Sequence, residues 1–95
     1  MRITLKTYSV LRGVIGKPEL VLEIDDGSTI EDLFSFLIER SGEEFERVTG
    51  SDLKGSLGRN FNVYLGGRLV YPAEYPQTKL QDEDEVIIMR PIGGG

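Results

Sequence analysis

The sequence predicts an α+β fold, a mixed sheet of four to five strands with one main helix packed across one face. Three observations carry this prediction. Ile30, Leu33, Phe34, Leu37 and Ile38 repeat at i, i+3, i+4, i+7, i+8, the spacing of a single helical stripe. Short runs on both sides alternate apolar and polar residues with the period of a strand. Gly66-Gly67 joins two of those runs as a two-residue hairpin turn, which needs positive φ.

In chain order, residues 2–10 alternate, with Ile3 and Leu5 on one side and Lys6, Tyr8 and Val10 on the other. LRGVIGKPE holds Gly13, Gly16 and Pro18 and reads as a turn. Residues 19–25 return as a strand, with Leu20, Leu22 and Ile24 on one side. Asp25-Asp26-Gly27 stops it. Ser28-Thr29-Ile30-Glu31 fits a capping box with Ser28 as N-cap, which opens a helix over 29–41 closed by Gly42. In 43–60, Phe45, Val48, Leu53 and Leu57 anchor one or two short helical turns of an excursion that Gly50, Gly55 and Gly58 interrupt. FNVYL (61–65) and RLVY (68–71) form the hairpin, and YPAEYPQT is a loop. The acidic run Asp82–Glu85 reads as a solvated turn before the strand VIIMRPI. The order β-β-α-β-β-β lets the first and last strands lie parallel, because the helix supplies the right-handed crossover they need. The expected architecture is a β-grasp, with 1–92 one domain and 93–95 a flexible Gly-Gly-Gly tail.

Composition excludes much chemistry. Among 95 residues there is no Cys and no His, which removes thiolate nucleophiles, Cys-zinc and Fe–S sites, imidazole bases and histidine metal ligands. Lys and Arg total 11 against 16 Asp and Glu, a net charge of −5, which argues against nucleic-acid binding. No apolar run is long enough for a signal peptide or a membrane span, so a cytoplasmic location is expected. The acidic pairs Asp25/Asp26 and Asp82/Asp84 read as turn carboxylates rather than an acid–base pair.

The three final glycines stand out. Glycine is the residue most costly to order, so stability does not explain such a run. Without Cβ atoms it forms a narrow thread. From Arg90 to Gly95 an extended chain reaches roughly 17–20 Å, enough to enter a partner's active site. Tyr8 and Val10 on the first strand, and Ile87 and Met89 on the last, have the parity to face away from the helix. On adjacent strands they would form an apolar, aromatic docking patch.

ITLKTYSVLRGVIG with Arg12 and Gly16, the helix segment IDDGSTIEDLFSFLIER, the hairpin VYLGGRLV and the ending LQDEDEVIIMRPIGGG together resemble the ubiquitin-like β-grasp sulfur carrier family. The chain is most similar there to the MoaD-like small subunits of molybdopterin synthase and to the archaeal ubiquitin-like small modifiers. It departs from that pattern in Gly66-Gly67, in Arg90 where a second proline is usual, and in Gly93 where Ser or Thr is common.

The resemblance implies that an E1-like adenylating enzyme, using ATP and Mg²⁺, activates the carboxylate of Gly95, with Gly94 and Gly93 threading it into place. It implies conversion to a thiocarboxylate that donates sulfur, foremost in molybdopterin biosynthesis, with the large subunit of molybdopterin synthase or another acceptor enzyme as partner. Attachment to protein lysines, sulfur donation to tRNA or thiazole, and a non-covalent interaction module are the alternatives. The implied docking residues are Tyr8, Leu69 and Met89, joined by Ile87, Arg90, Pro91 and Ile92. The chain is expected to bind no cofactor itself, to touch neither nucleic acid nor membrane, and to be a co-substrate rather than an independent catalyst.

Overall fold

The computed structural model describes residues 1–8, 13, 14, 16 and 18–90. The expected positions of Val10, Arg12, Pro91, Ile92 and Gly93–Gly95 lie outside the described residues. Five strands, β1 (Arg2–Thr7), β2 (Glu19–Glu23), β3 (Asn62–Leu65), β4 (Arg68–Val70) and β5 (Glu85–Met89), form one mixed sheet in the order β2-β1-β5-β3-β4. The central pair, β1 and β5, is parallel, and every other pairing is antiparallel. The helices α1 (Ile30–Thr49) and α2 (Leu53–Arg59) cover one face, and a 3₁₀ turn spans Pro72–Glu74. This is the β-grasp architecture expected from the element order.

Strand parity sorts the side chains. Ile3, Leu5, Leu22, Val63, Val70, Val86 and Ile88 point inward and are buried against Ile30, Leu33, Phe34, Leu37 and Phe45 of α1 and Leu53 and Leu57 of α2. The hairpin turn is as expected, with Gly66 and Gly67 at φ 58° and 83°, a conformation that glycine adopts without steric cost.

The helical region differs from the sequence reading in three respects. The N-cap is Thr29, not Ser28. Thr29 Oγ1 accepts from the Asp32 N–H at 3.1 Å, and Asp32 Oδ2 accepts from the Thr29 N–H at 2.9 Å. Ser28 is used one step earlier, its hydroxyl donating to the Asp25 carbonyl at 2.8 Å to close the turn through Gly27. A bridge between Thr29 and Lys79 draws Thr29 into the extended conformation that an N-cap requires. The free amides of the first turn of α1 are met: Ile30 donates to the Thr78 carbonyl at 2.9 Å, Glu31 to the Tyr75 carbonyl at 3.2 Å and Asp32 to Thr29 Oγ1.

The helix also runs past Gly42 to Thr49. Gly50, at φ 76°, is the left-handed cap, its N–H donating to the Glu46 carbonyl at 2.7 Å. Burial of Phe45, packed near Phe61 with ring centroids 6.2 Å apart, rewards the two extra turns. The expected excursion over 43–60 is therefore the end of α1 plus α2, with Asp52 capping α2 through the Gly55 N–H at 3.2 Å. Phe45, Leu53 and Leu57 are anchors as expected. Val48 is not, since it is 59% exposed.

The acidic turn is not simply solvated. Asp82 Oδ1 accepts from the Arg2 N–H at 2.7 Å and Glu83 pairs with the Arg2 guanidinium at 2.9 Å, so the turn ties the start of β5 to β1. Tyr75 locks the helical layer. Its ring meets Phe34 edge-on at 4.9 Å and its hydroxyl donates to the Leu57 carbonyl at 3.0 Å. Burial holds its phenol above the usual tyrosine value.

Two glycines lie within helices without a backbone reason. Gly42 and Gly58 are helical, a Cβ on Gly58 would meet nothing within 4 Å, and one on Gly42 would touch Ile38 at an ordinary 3.4 Å. Each forgoes about 1 kcal/mol relative to alanine. Gly55 differs, because a Cβ there would crowd Asp52 and Arg59.

Two predictions follow from this packing. Gly58→Ala raises Tm by about 4–8 °C in a thermal melt, the shift that about 1 kcal/mol brings in a domain of this size. Tyr75→Phe costs about 1 kcal/mol at neutral pH. A raised phenol contributes stability that is complete below pH 10 and is lost as pH climbs through the folded-state value. Denaturant melts at increasing pH therefore show wild type losing its advantage over Tyr75→Phe only above pH 10.

Candidate docking face and C-terminal strand

The outer face of the sheet is the one that the helices leave open. In its central row Lys6 of β1 stands beside Ile87 of β5, Ile87 beside Tyr64 of β3, and Tyr64 beside Leu69 of β4. One pleat further along, Met89 stands beside Asn62. Tyr8 directly follows Thr7, which pairs with Ile88, so Tyr8 comes to the Met89 end of the face. Tyr8 is 41% exposed, Ile87, Met89, Leu69 and Tyr64 are half-buried, and Arg90 is exposed where the chain leaves β5.

The structure thus brings together Tyr8, Leu69, Ile87 and Met89, the four expected docking residues it describes on this face, with Arg90 at its rim. Pro91, Ile92 and the three glycines lie outside the described residues. The helices that carry Phe45, Leu53 and Leu57 pack on the inner face, so residues 43–59 do not cover this patch.

Sequence reasoning missed Tyr64, the residue between Ile87 and Leu69. Its alternation with Val63 and Leu65 in FNVYL already placed it on the outer face, and only the strand order shows that it lies at the centre of the patch. Tyr71, just after β4, is a further aromatic that is 61% exposed.

The face has one charged flank. Lys6 Nζ lies 3.1 Å from Glu85 Oε2, and this hydrogen bond, reinforced by the carboxylate's charge, holds the ammonium above the usual lysine value. Pairing the two charges with each other leaves the neighbouring Ile87–Tyr64–Leu69 row apolar. Chemically, the face offers the apolar row of Ile87, Tyr64 and Leu69 beside the Lys6–Glu85 ion pair. Among the described residues no group of three or more Asp and Glu could hold a metal ion, and no helix is long and apolar enough to cross a membrane.

The ThiS family model matches residues 8–95. Small archaeal modifier protein 3 of Haloferax volcanii is 27% identical over 96 residues, covering all of both chains. A candidate sulfur carrier protein of Archaeoglobus fulgidus is 32% identical over 75 residues, covering 78% of this chain and 83% of the relative. Among solved structures, SAMP1 of Haloferax volcanii superposes with a TM-score of 0.73 at 19% identity over the whole of both chains. The complex of subunits 1 and 2 of the molybdopterin-converting factor of Helicobacter pylori contains a chain matched in full, and covering all of this one, with a TM-score of 0.62 at 17% identity. With the family match running from Tyr8 on the outer face of the sheet through the last glycine, and the β-grasp fold shared with these structures, the chain belongs to the ThiS family.

Proposed function

We propose that this protein is a ubiquitin-like sulfur carrier whose Gly95 carboxylate is adenylated, converted to a thiocarboxylate, and used to donate sulfur in molybdopterin biosynthesis. The observation that carries this reading is the family match over residues 8–95, which includes the glycine tail. The open apolar face beside the end of β5 supports it.

A carboxylate is a poor electrophile. Attack of a Gly95 carboxylate oxygen on the α-phosphorus of ATP releases pyrophosphate and leaves an acyl-adenylate. Hydrosulfide supplied by a sulfur donor then attacks the carbonyl carbon and expels AMP, leaving a thiocarboxylate. The ATP and Mg²⁺ belong to the activating enzyme. This chain contributes the reactive end, the thread of Gly93 and Gly94, and the surface by which partners hold it. The thiocarboxylate sulfur serves as the nucleophile, so a chain without cysteine can carry sulfur.

In this reading Tyr8, Leu69, Ile87 and Met89, with Tyr64 between them, dock first on the E1-like activating enzyme and then on a large-subunit acceptor. Arg90, Pro91 and Ile92 lead the tail inward. A second reading is attachment of Gly95 to protein lysines, favoured by the full-length similarity to an archaeal modifier protein.

Intact mass spectrometry after incubation with the activating enzyme, ATP and a sulfur donor tests the proposal. The expected product has one oxygen replaced by sulfur at Gly95. An unchanged carboxylate overturns the reading, and Gly95 joined to lysine replaces it with the second. Deleting Gly94 and Gly95 is expected to abolish adenylate formation while Tm stays the same. Met89→Asp is expected to weaken binding to the large-subunit partner by about 2 kcal/mol, roughly thirtyfold in Kd, with the fold intact. Tyr8→Ala acts in the same direction. Equal affinities of wild type and Met89→Asp by calorimetry would remove the face from the mechanism.

A further inference from the structure

On the opposite side of the molecule the helices enclose a trough that the sulfur-carrier chemistry does not use. Its main basin, about 500 Å³, lies between α1, α2 and the 3₁₀ turn, with Phe34, Ile38, Leu57 and Tyr75 as its apolar lining. A second basin of about 290 Å³ shares Ile38 and Lys54 with the first and continues along α1 past Gly42. The rim is acidic. Glu31 and Glu39 border the first basin, and Glu43, Glu46 and Asp52 border the second. Along α1 these glutamates fall at intervals of 8, 4 and 3 residues, which keeps them on one flank of the helix. Lys54 is the one cation lining either basin. Arg40 is engaged elsewhere, stacked 5.1 Å over Phe36.

The glycines supply an independent observation. Gly58 lines the first basin and Gly42 the second. Neither is required by a left-handed φ or by close packing, and both sit in helices that alanine would stabilise. What each does is keep a wall of the trough free of side chains.

We propose that this trough is a second docking site, which takes a basic amphipathic segment of a partner protein. An apolar side chain of that segment enters the Phe34–Ile38–Leu57–Tyr75 basin, while its lysines or arginines lie against Glu31, Glu39, Glu43 and Glu46. From Glu31 to Glu46 the flank is about 22 Å long, which suits a helix of about four turns laid in a groove. The charge complementarity selects this occupant over a second copy of the chain, whose net charge of −5 repels it. Because the helices lie on the inner face, a partner here leaves the outer face of the sheet open to the enzymes that handle the tail.

The test uses the full chain, isotope-labelled, and a synthetic peptide of alanine, leucine and lysine about four helical turns long. Titration followed by amide chemical shifts is expected to perturb Glu31, Ser35, Glu39, Gly42, Glu43, Lys54 and Gly58, with binding that weakens as salt rises. Gly58→Phe, which fills the basin, and the double variant Glu39→Lys/Glu43→Lys are each expected to weaken binding at least tenfold, whereas Met89→Asp leaves it unchanged. Gly58→Leu replaces Gly58→Phe should the larger ring disturb the fold.

Four results overturn the proposal: no shifts, shifts at Lys6, Tyr64, Ile87 and Met89 instead, equal binding of a peptide with glutamate in place of lysine, or concentration-dependent shifts without peptide, which would assign the trough to a second copy. Gly95 takes no part in the titration, so its outcome is separate from that of the sulfur-carrier reading.

Discussion

The parallel pairing of β1 with β5 is the constraint on which the rest of the structure depends. Thr4 stands beside Glu85 and Lys6 beside Ile87, residues more than eighty positions apart in sequence. A parallel pair cannot be closed by a hairpin, so the chain must cross over between them. Here β2, α1, α2 and the β3–β4 hairpin fill that interval. Once the pair forms, β2 adds to the free edge of β1 and the hairpin adds to the free edge of β5. The acidic turn reinforces it from outside the ladder, since the Glu83 N–H donates to the Arg2 carbonyl at 2.7 Å and the Thr4 N–H to the Asp84 carbonyl at 2.9 Å.

That pairing also divides the sheet into a buried inner face and an open outer face. The inner faces of β1 and β5, through Ile3, Leu5, Val86 and Ile88, are fully buried and hold the helical layer in place. Their outer faces gather Tyr8, Ile87 and Met89 beside the point where the chain leaves the sheet. On the proposed reading such a surface close to the last described residue of β5 is useful, because docking there limits where the end of the chain can reach. On that reading the domain supplies position and its partners supply the catalytic groups.

The helical layer shows how tertiary contacts settle what local signals leave open. Both Ser28 and Thr29 can cap a helix, and both are followed by an acid three residues on. Thr29 prevails because its bridge to Lys79 gives it extended backbone, while the Ser28 hydroxyl is already committed to Asp25. Gly42 and Gly50 can both end a helix. The end falls at Gly50 because Phe45 gains a buried site beside Phe61 only when the helix continues. In each case the losing residue keeps its propensity, and a long-range contact outweighs it.

The sequence by itself determined the strands, the stripe of α1, the Gly66-Gly67 turn and the sorting of residues by parity, because each depends on neighbours within a few positions. It also determined that Tyr8, Ile87 and Met89 face away from the helix, since period two follows from the backbone. Only the tertiary structure decided that Tyr64 lies between Ile87 and Leu69 at the centre of the outer face, because that follows from strand order. The same holds for α2 and for the acid-rimmed trough it forms with α1. Residues 43–59 carry too few apolar groups and too many glycines for local periodicity to define them, and they acquire their form from the core they pack against.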